Sequence, residues 1–190
     1  MLPENTISTT PTPSKLLVPD KDEDDLLIDF EWGGLDIRNT SQGLGVYIWE
    51  CVYKDNWVVL KNPDKEINWL NIDGVTQLGL AFDFNMQPYV TYVKDSKVYL
   101  NWFDTSVQQY VTTDFGSSIK SPQISLDDRR NETSNSSDII FAYVKGRSIY
   151  YRQQRDRFGV EYYVGEIEQD GVTLVQIGMG RNYRFQFKIY

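Results

Sequence analysis

The chain has 190 residues and a formal net charge of −8, from 19 Lys and Arg against 27 Asp and Glu, with no His and one Cys. That length holds one domain with a real core or two small ones, and its acidity offers no basic surface for phosphates along a duplex, so nucleic acid is not an expected partner. The missing histidine removes the commonest general base and the commonest metal ligand together. Ser-His-Asp catalysis, Cys-His catalysis and histidine-ligated zinc are thereby excluded within the chain.

Residues 1 to about 19 carry Thr6, Ser8, Thr9, Thr10, Pro11, Thr12, Pro13 and Pro19. Such a segment cannot donate a regular hydrogen-bond ladder and has little to bury, so it reads as a disordered or extended arm. No basic-then-apolar leader and no stretch of about 18 apolar residues is present, which leads to the expectation of a protein made in a cytoplasm, without a membrane. Asp20-Lys21-Asp22-Glu23-Asp24-Asp25 marks a boundary. Its Asp20-x-Asp22-x-Asp24 spacing, with Glu31 at the twelfth position, imitates a calcium loop, but Asp25 stands where that loop requires Gly. No metal site is expected there. The folded part is expected from near Leu26, with Gly33-Gly34 as its first turn.

From Val46 onward, short Val, Ile, Tyr and Trp runs alternate with turns of two to six residues, and no segment sustains an i, i+3, i+4, i+7 apolar pattern. Many antiparallel strands and almost no helix are expected. Cys51, inside Tyr47-Ile48-Trp49-Glu50-Cys51-Val52-Tyr53, reads as a small buried hydrophobe and leaves no internal disulfide. Tyr92-Val93-Lys94-Asp95-Ser96-Lys97-Val98-Tyr99-Leu100 realigns without a gap, 51 residues later, on Tyr143-Val144-Lys145-Gly146-Arg147-Ser148-Ile149-Tyr150-Tyr151. A fainter copy, Lys54-Asp55-Asn56-Trp57-Val58-Val59-Leu60, lies 40 residues upstream, and Leu80-Ala81-Phe82-Asp83 corresponds to Ile124-Ser125-Leu126-Asp127. With Gln109-Tyr110-Val111-Thr112 and Glu161-Tyr162-Tyr163-Val164 as fourth strands, each unit is a four-stranded antiparallel, blade-like sheet.

The expected fold is therefore all-β, built from repeated four-stranded units as a partial propeller or a sandwich. Residues 1–25 form the arm and acidic linker, and residues 26–190 the domain, with repeats near 46–62, 78–112 and 122–164. The polar insertion Arg129–Ser137 reads as an exposed loop.

Asp83, Asp104 and Asp127-Asp128 are the carboxylates that could do glycosidic acid–base work. Asp83 and Asp127, however, occupy equivalent repeat positions, where an Asx turn would hold a strand end. Turn chemistry is the better reading, and no catalytic or cofactor-binding residue is assigned. Trp32, Trp49, Trp57, Trp69 and Trp102 could stack on carbohydrate, but their strand-like settings favour the core or an interface. The sequons at Asn39, Asn131 and Asn135 matter only in a secreted eukaryotic chain. The segment Tyr150–Glu161 holds the one local basic patch, Arg152, Arg155 and Arg157. Strand alternation puts Arg152 and Gln154 on one face and Gln153 and Arg155 on the other, an arrangement suited to the acidic surface of a neighbouring copy or to solvent.

Several stretches resemble a family of small virion structural proteins of tailed bacteriophages. They are Phe30-Glu31-Trp32-Gly33-Gly34-Leu35-Asp36-Ile37-Arg38, Leu80–Pro88 running into Tyr92-Val93, Tyr150–Phe158, and Leu174-Val175-Gln176-Ile177-Gly178-Met179. The resemblance implies a non-enzymatic part of the particle, in the tail, collar or fibre-attachment region, with virion localisation and other virion proteins as partners. It implies no catalytic residues. The arm, the unpaired blades and the aromatic C-terminal strand Tyr183–Tyr190 all gain from neighbours that supply missing edges, so a homo-oligomer is expected. Candidate interface residues are Arg152, Arg155, Arg157, Trp32, Phe185, Phe187 and Tyr190. The alternative is a carbohydrate-binding module of a receptor-binding fibre.

Overall fold

The structure is a computed structural model that describes residues 30–36, 45–62, 64–83, 85–128, 137–168, 171, 173–179 and 185–190, with side chains from Trp49 onward except at 128, 137 and 179. The arm and acidic run, the insertion at 129–136, the three sequons and the Trp32 side chain lie outside the described residues.

Among the described residues, fourteen strands carry the fold. Unit 1 is β1 (Phe30–Asp36), β2 (Gly45–Lys54), β3 (Trp57–Asn62) and β4 (Lys65–Asn71). Unit 2 is β5 (Val75–Phe82), β6 (Pro88–Lys94), β7 (Lys97–Asp104) and β8 (Gln109–Asp114). Unit 3 is β9 (Ile119–Asp128), β10 (Ser137–Lys145), β11 (Ser148–Gln153) and β12 (Tyr162–Glu166). A two-stranded sheet, β13 (Leu174–Met179) and β14 (Phe185–Ile189), follows as a half-unit. Each full unit is an antiparallel meander whose strands pair in chain order. A single 3-10 turn, Gln154–Asp156, is the only helical element among the described residues.

The expected all-β repeat is present, and it extends further than the sequence suggested. Unit 1 is a complete four-stranded sheet, and Gly33-Gly34 lies within β1 rather than in a turn. The pairing of β1 with β2 shifts register between Gly33 and Asp36, the irregularity that side-chain-free residues permit in a strand.

The repeated hairpins use equivalent turns. Lys54 pairs with Trp57 and Lys94 with Lys97, leaving Asp55-Asn56 and Asp95-Ser96 as two-residue loops with positive φ at both positions, the type I′ pattern. In unit 3, Lys145 pairs with Ser148 and Gly146 alone has positive φ, the type II′ pattern in which glycine takes the first position. The repeated tyrosines are cross-strand partners. Tyr92 stacks on Tyr99 with centroids 5.0 Å apart, and Tyr143 on Tyr150 at 6.4 Å.

The units stack face to face, with the first strands adjacent in series: β1 against β5, β5 against β9, and β9 against β13. Three apolar layers lie between the sheets. Cys51, Val58 and Leu60 meet Leu80, Phe82, Val90 and Tyr92 between units 1 and 2. Tyr89, Leu100 and Trp102 meet Ile124, Ile139, Phe141 and Tyr143 between units 2 and 3. Ile140, Ala142 and Ile149 meet Leu174, Ile177 and Ile189 below the half-unit. A sheet covered on both faces needs apolar residues at every position, which is why Ile139-Ile140-Phe141-Ala142-Tyr143-Val144 is buried throughout.

The outer faces of the two end sheets carry polar groups among the described residues. Unit 1 has a Glu50–Lys61 pair at 2.8 Å and a Lys54–Glu66 pair at 3.9 Å on the face away from unit 2, which also carries half-buried Val52 and Val59, itself only 2% exposed. On the half-unit, Phe185, Phe187 and Ile189 face inward, while Gln176, Gln186 and Lys188 are exposed on the other face. Among the described residues the sheets do not close into a barrel or a propeller.

Candidate functional site

The densest polar chemistry lies where unit 2 meets unit 3, around the connection from β11 to β12. After Gln153 the strand ends, and the 3-10 turn Gln154–Asp156 leads into Arg157 and Phe158, both left-handed at φ 50° and 55°. Two non-glycine residues in that region store strain, and the contacts of the following ring repay it. Phe158 is 2% exposed, edge-on to Trp102 at 5.3 Å and 6.2 Å from Tyr89.

The predicted basic patch wraps around this plug. Arg152 is half-buried, donating from Nε to the Tyr143 hydroxyl (2.8 Å), from Nη1 to the carbonyls of Phe158 (2.8 Å) and Gly159 (3.0 Å), and from Nη2 to Glu161 (3.2 Å). Its guanidinium also lies 5.3 Å from the centre of the Phe115 ring. Arg155 pairs with buried Asp138 on β10, and Arg157 crosses to buried Asp104 at the end of β7. Alternation along β11 holds only to Gln153. Gln154 reaches unit 2 from the helical turn, with Nε2 donating to the Tyr89 hydroxyl (2.6 Å) and to Asp83 (3.2 Å).

The buried aspartates hold turns. Asp83 accepts from the backbone N–H of Asn85 and of Gln87, each at 2.9 Å, and Asp104 accepts from the N–H (2.9 Å) and hydroxyl (2.7 Å) of Ser106. This is the Asx-turn role expected of Asp83. Asp127 pairs in register with Asp138 across β9 and β10.

The electrostatics follow from these contacts. The Ser106 hydroxyl, together with Arg157, holds the Asp104 carboxyl below its ordinary value. Burial raises Asp138 despite Arg155, and the Asp127 carboxylate adds to the rise. Burial, followed by the charge of Asp83, drives the Tyr89 hydroxyl far up. Tyr143 is likewise raised by burial and by its 2.6 Å hydrogen bond to Glu161. For Glu161, burial works against ionisation, but Tyr143, Lys145 and Arg152 outweigh it and hold the carboxyl low. Tyr89 is fully buried, so its hydroxyl meets no substrate in this conformation. Among the described residues, no group of three His, Cys, Asp or Glu is placed to hold a metal ion, and no helix is long and apolar enough to cross a membrane.

The other candidate interface residues lie elsewhere. Phe185 and Phe187 are 5.6 Å apart on β14, and Phe187 meets Tyr151 on the face of unit 3 opposite Arg152. Tyr190 pairs with Thr173 through backbone bonds at 2.8 and 2.9 Å. Trp32 stands opposite Ile48 in β1. Three tryptophans with described contacts pack between sheets: Trp69 donates to Asn101 (3.0 Å) and Trp49 lies 5.7 Å from Phe82 between units 1 and 2, while Trp102 meets Phe158 of unit 3 and donates to Thr113 (3.0 Å) within unit 2. Sequence reasoning overlooked the roles of Phe158, Asp138 and Asn101. Phe158 had a signal, as an aromatic inside a charged segment followed by glycine.

The fold and junction define a class: a stack of blade-like antiparallel sheets whose buried polar groups tie one sheet to the next. No family model matches the chain, and neither a curated protein nor a solved structure is similar to it.

Proposed function

We propose that the chain is a non-enzymatic structural component of a tailed-bacteriophage virion, in the tail, collar or fibre-attachment region, joining copies of itself and other tail proteins. The observation that carries this reading is the internal use of its polar groups. Asp83, Asp104, Asp138, Arg152 and Glu161 each hold a turn or a neighbouring strand, and Tyr89 and Tyr143 are sealed in the core. Such a distribution suits a rigid spacer whose contacts run through strand edges and through segments outside the stack. The resemblance across residues 30–180 supports the particle setting. Trp69 and Trp102 bond within the stack, which weighs against an aromatic sugar platform.

The test is to purify particles from an infected host and look for the chain by mass spectrometry and by antibody labelling in electron micrographs. Labelling confined to one region of the tail or collar is the expected result. Absence from purified particles overturns the proposal.

A further inference from the structure

The half-unit has two strands where each full unit has four, yet the face of unit 3 below it is a full unit's face. β13 covers the inner strands, and β14 reaches β11 through Phe187 against Tyr151 at 6.4 Å. The position outward of β14 has no strand among the described residues. Beneath it lie Tyr151 and Tyr162, stacked at 5.0 Å, with Val164 beside them, all three half-buried. In the two complete interfaces, the residues repeat-equivalent to Tyr151 are Leu100, at 0% exposure, and Leu60, at 1%. An uncovered aromatic ledge beside a strand edge is the geometry that accepts an added strand: the edge supplies main-chain bonds and the ledge supplies side-chain contact.

We propose that this third-strand position takes residues 14–18 of a second copy of the chain, an inference that rests on the assembly reading above. Twenty-nine residues precede β1, and within them Ser14-Lys15-Leu16-Leu17-Val18 is bounded by Pro13 and Pro19. Proline cannot donate within a ladder, so the stretch has natural ends, and its five residues match the five of β14. Period-two alternation turns Ser14, Leu16 and Val18 to the ledge, and Lys15 and Leu17 to the face that carries Gln176 and Gln186.

A second copy is favoured over the same chain by reach. Residues 19–29 span at most about 40 Å when fully extended. The route from β1 to the far side of β14 crosses three sheet spacings of roughly 10 Å and two strand spacings of roughly 5 Å, around the stack rather than through it. A return within one chain would be drawn taut, whereas a neighbour's segment is under no such constraint. A second half-unit is also excluded from that edge. A twofold axis normal to the joined sheet would set both copies of unit 3 on the same side, where they collide.

The experiment uses the full chain and its Leu16→Asp/Val18→Asp variant, with mass measured by light scattering during size exclusion across a concentration series. The wild type is expected to self-associate, and the variant to be at least tenfold weaker with an unchanged unfolding midpoint. A peptide of residues 12–20 is expected to bind the variant and to lose that binding when Tyr162 is changed to Ser. A wild-type oligomer that survives in the variant overturns this inference while leaving the assembly reading intact. Variant and wild type both monomeric, with a lower midpoint in the variant, overturns the second-copy assignment in favour of insertion within one chain. A wild-type monomer indifferent to the substitutions overturns the inference and removes self-association from the assembly reading.

Discussion

Truncating Phe158 to Ala tests the junction most directly. The residue belongs to a connection between strands, where substitutions usually shift stability by less than about 0.5 kcal/mol. Its ring is nevertheless 2% exposed, against Trp102 and Tyr89 on two strands of the neighbouring unit. Those partners are held by ladders on both sides and cannot collapse into the void, so the loss falls in the range for buried Phe→Ala, about 3 to 5 kcal/mol. Against a typical domain stability of about 5 to 15 kcal/mol, that is a large fraction. Phe158→Leu keeps much of the volume and is expected to cost about 1 to 1.5 kcal/mol. Urea unfolding followed by tryptophan fluorescence measures both, with an unchanged m-value confirming that the same transition is compared. An Ala variant within about 0.5 kcal/mol of wild type would refute the reasoning, because the loop would then be a solvated tip rather than a plug.

Acid titration probes the same junction. The Glu161 carboxyl lies below its ordinary value of 4.5, so its contribution is present above that value and is lost as pH falls through the lowered one. Unfolding free energies between pH 7 and pH 3 are expected to fall less steeply at the acid end in Glu161→Gln than in wild type, and parallel curves would count against the Tyr143–Arg152–Glu161 cluster. Asp138, raised by burial, works in the opposite direction, so the comparison with the Gln variant is the informative one. Replacing Asp95-Ser96 by Asn-Gly puts the type I′ favourites at two positions of positive φ, with glycine in place of Ser96, and should stabilise by about 0.5 to 1 kcal/mol in thermal melts; destabilisation would mean the turn is not type I′. Thr91 is fully buried, and its hydroxyl has no hydrogen-bond partner among the described residues. Thr91→Val should therefore hold or raise stability by about 1 kcal/mol, whereas a loss of that size would show that the hydroxyl is bonded in solution.

Strand text and turn text were both legible because they are local. Two-residue gaps at Asp55-Asn56, Asp95-Ser96 and Gly146-Arg147 state a hairpin with its register, and a recurring Tyr-x₆-Tyr spacing states a cross-strand pair. The C-terminal aromatic strand was legible for the same reason. β4 and β13 were harder to see. The Lys65–Asn71 stretch is largely polar because one of its faces meets solvent, and β13 carries a register shift that breaks alternation between Leu174 and Gln176.

The sequence by itself determined the all-β class, the repeat and the absence of histidine chemistry, since composition and period are properties of the chain alone. Only the tertiary structure decided how the sheets relate. Face-to-face stacking depends on which side of each strand meets which neighbour, and a strand buried on both faces shows no period to reveal it. The same holds for the arginines. Arg152, Arg155 and Arg157 look like one surface patch in one dimension, but folding gives them different settings: Arg152 is half-buried against Glu161, while Arg155 and Arg157 keep exposed side chains and tie Asp138 and, across units, Asp104.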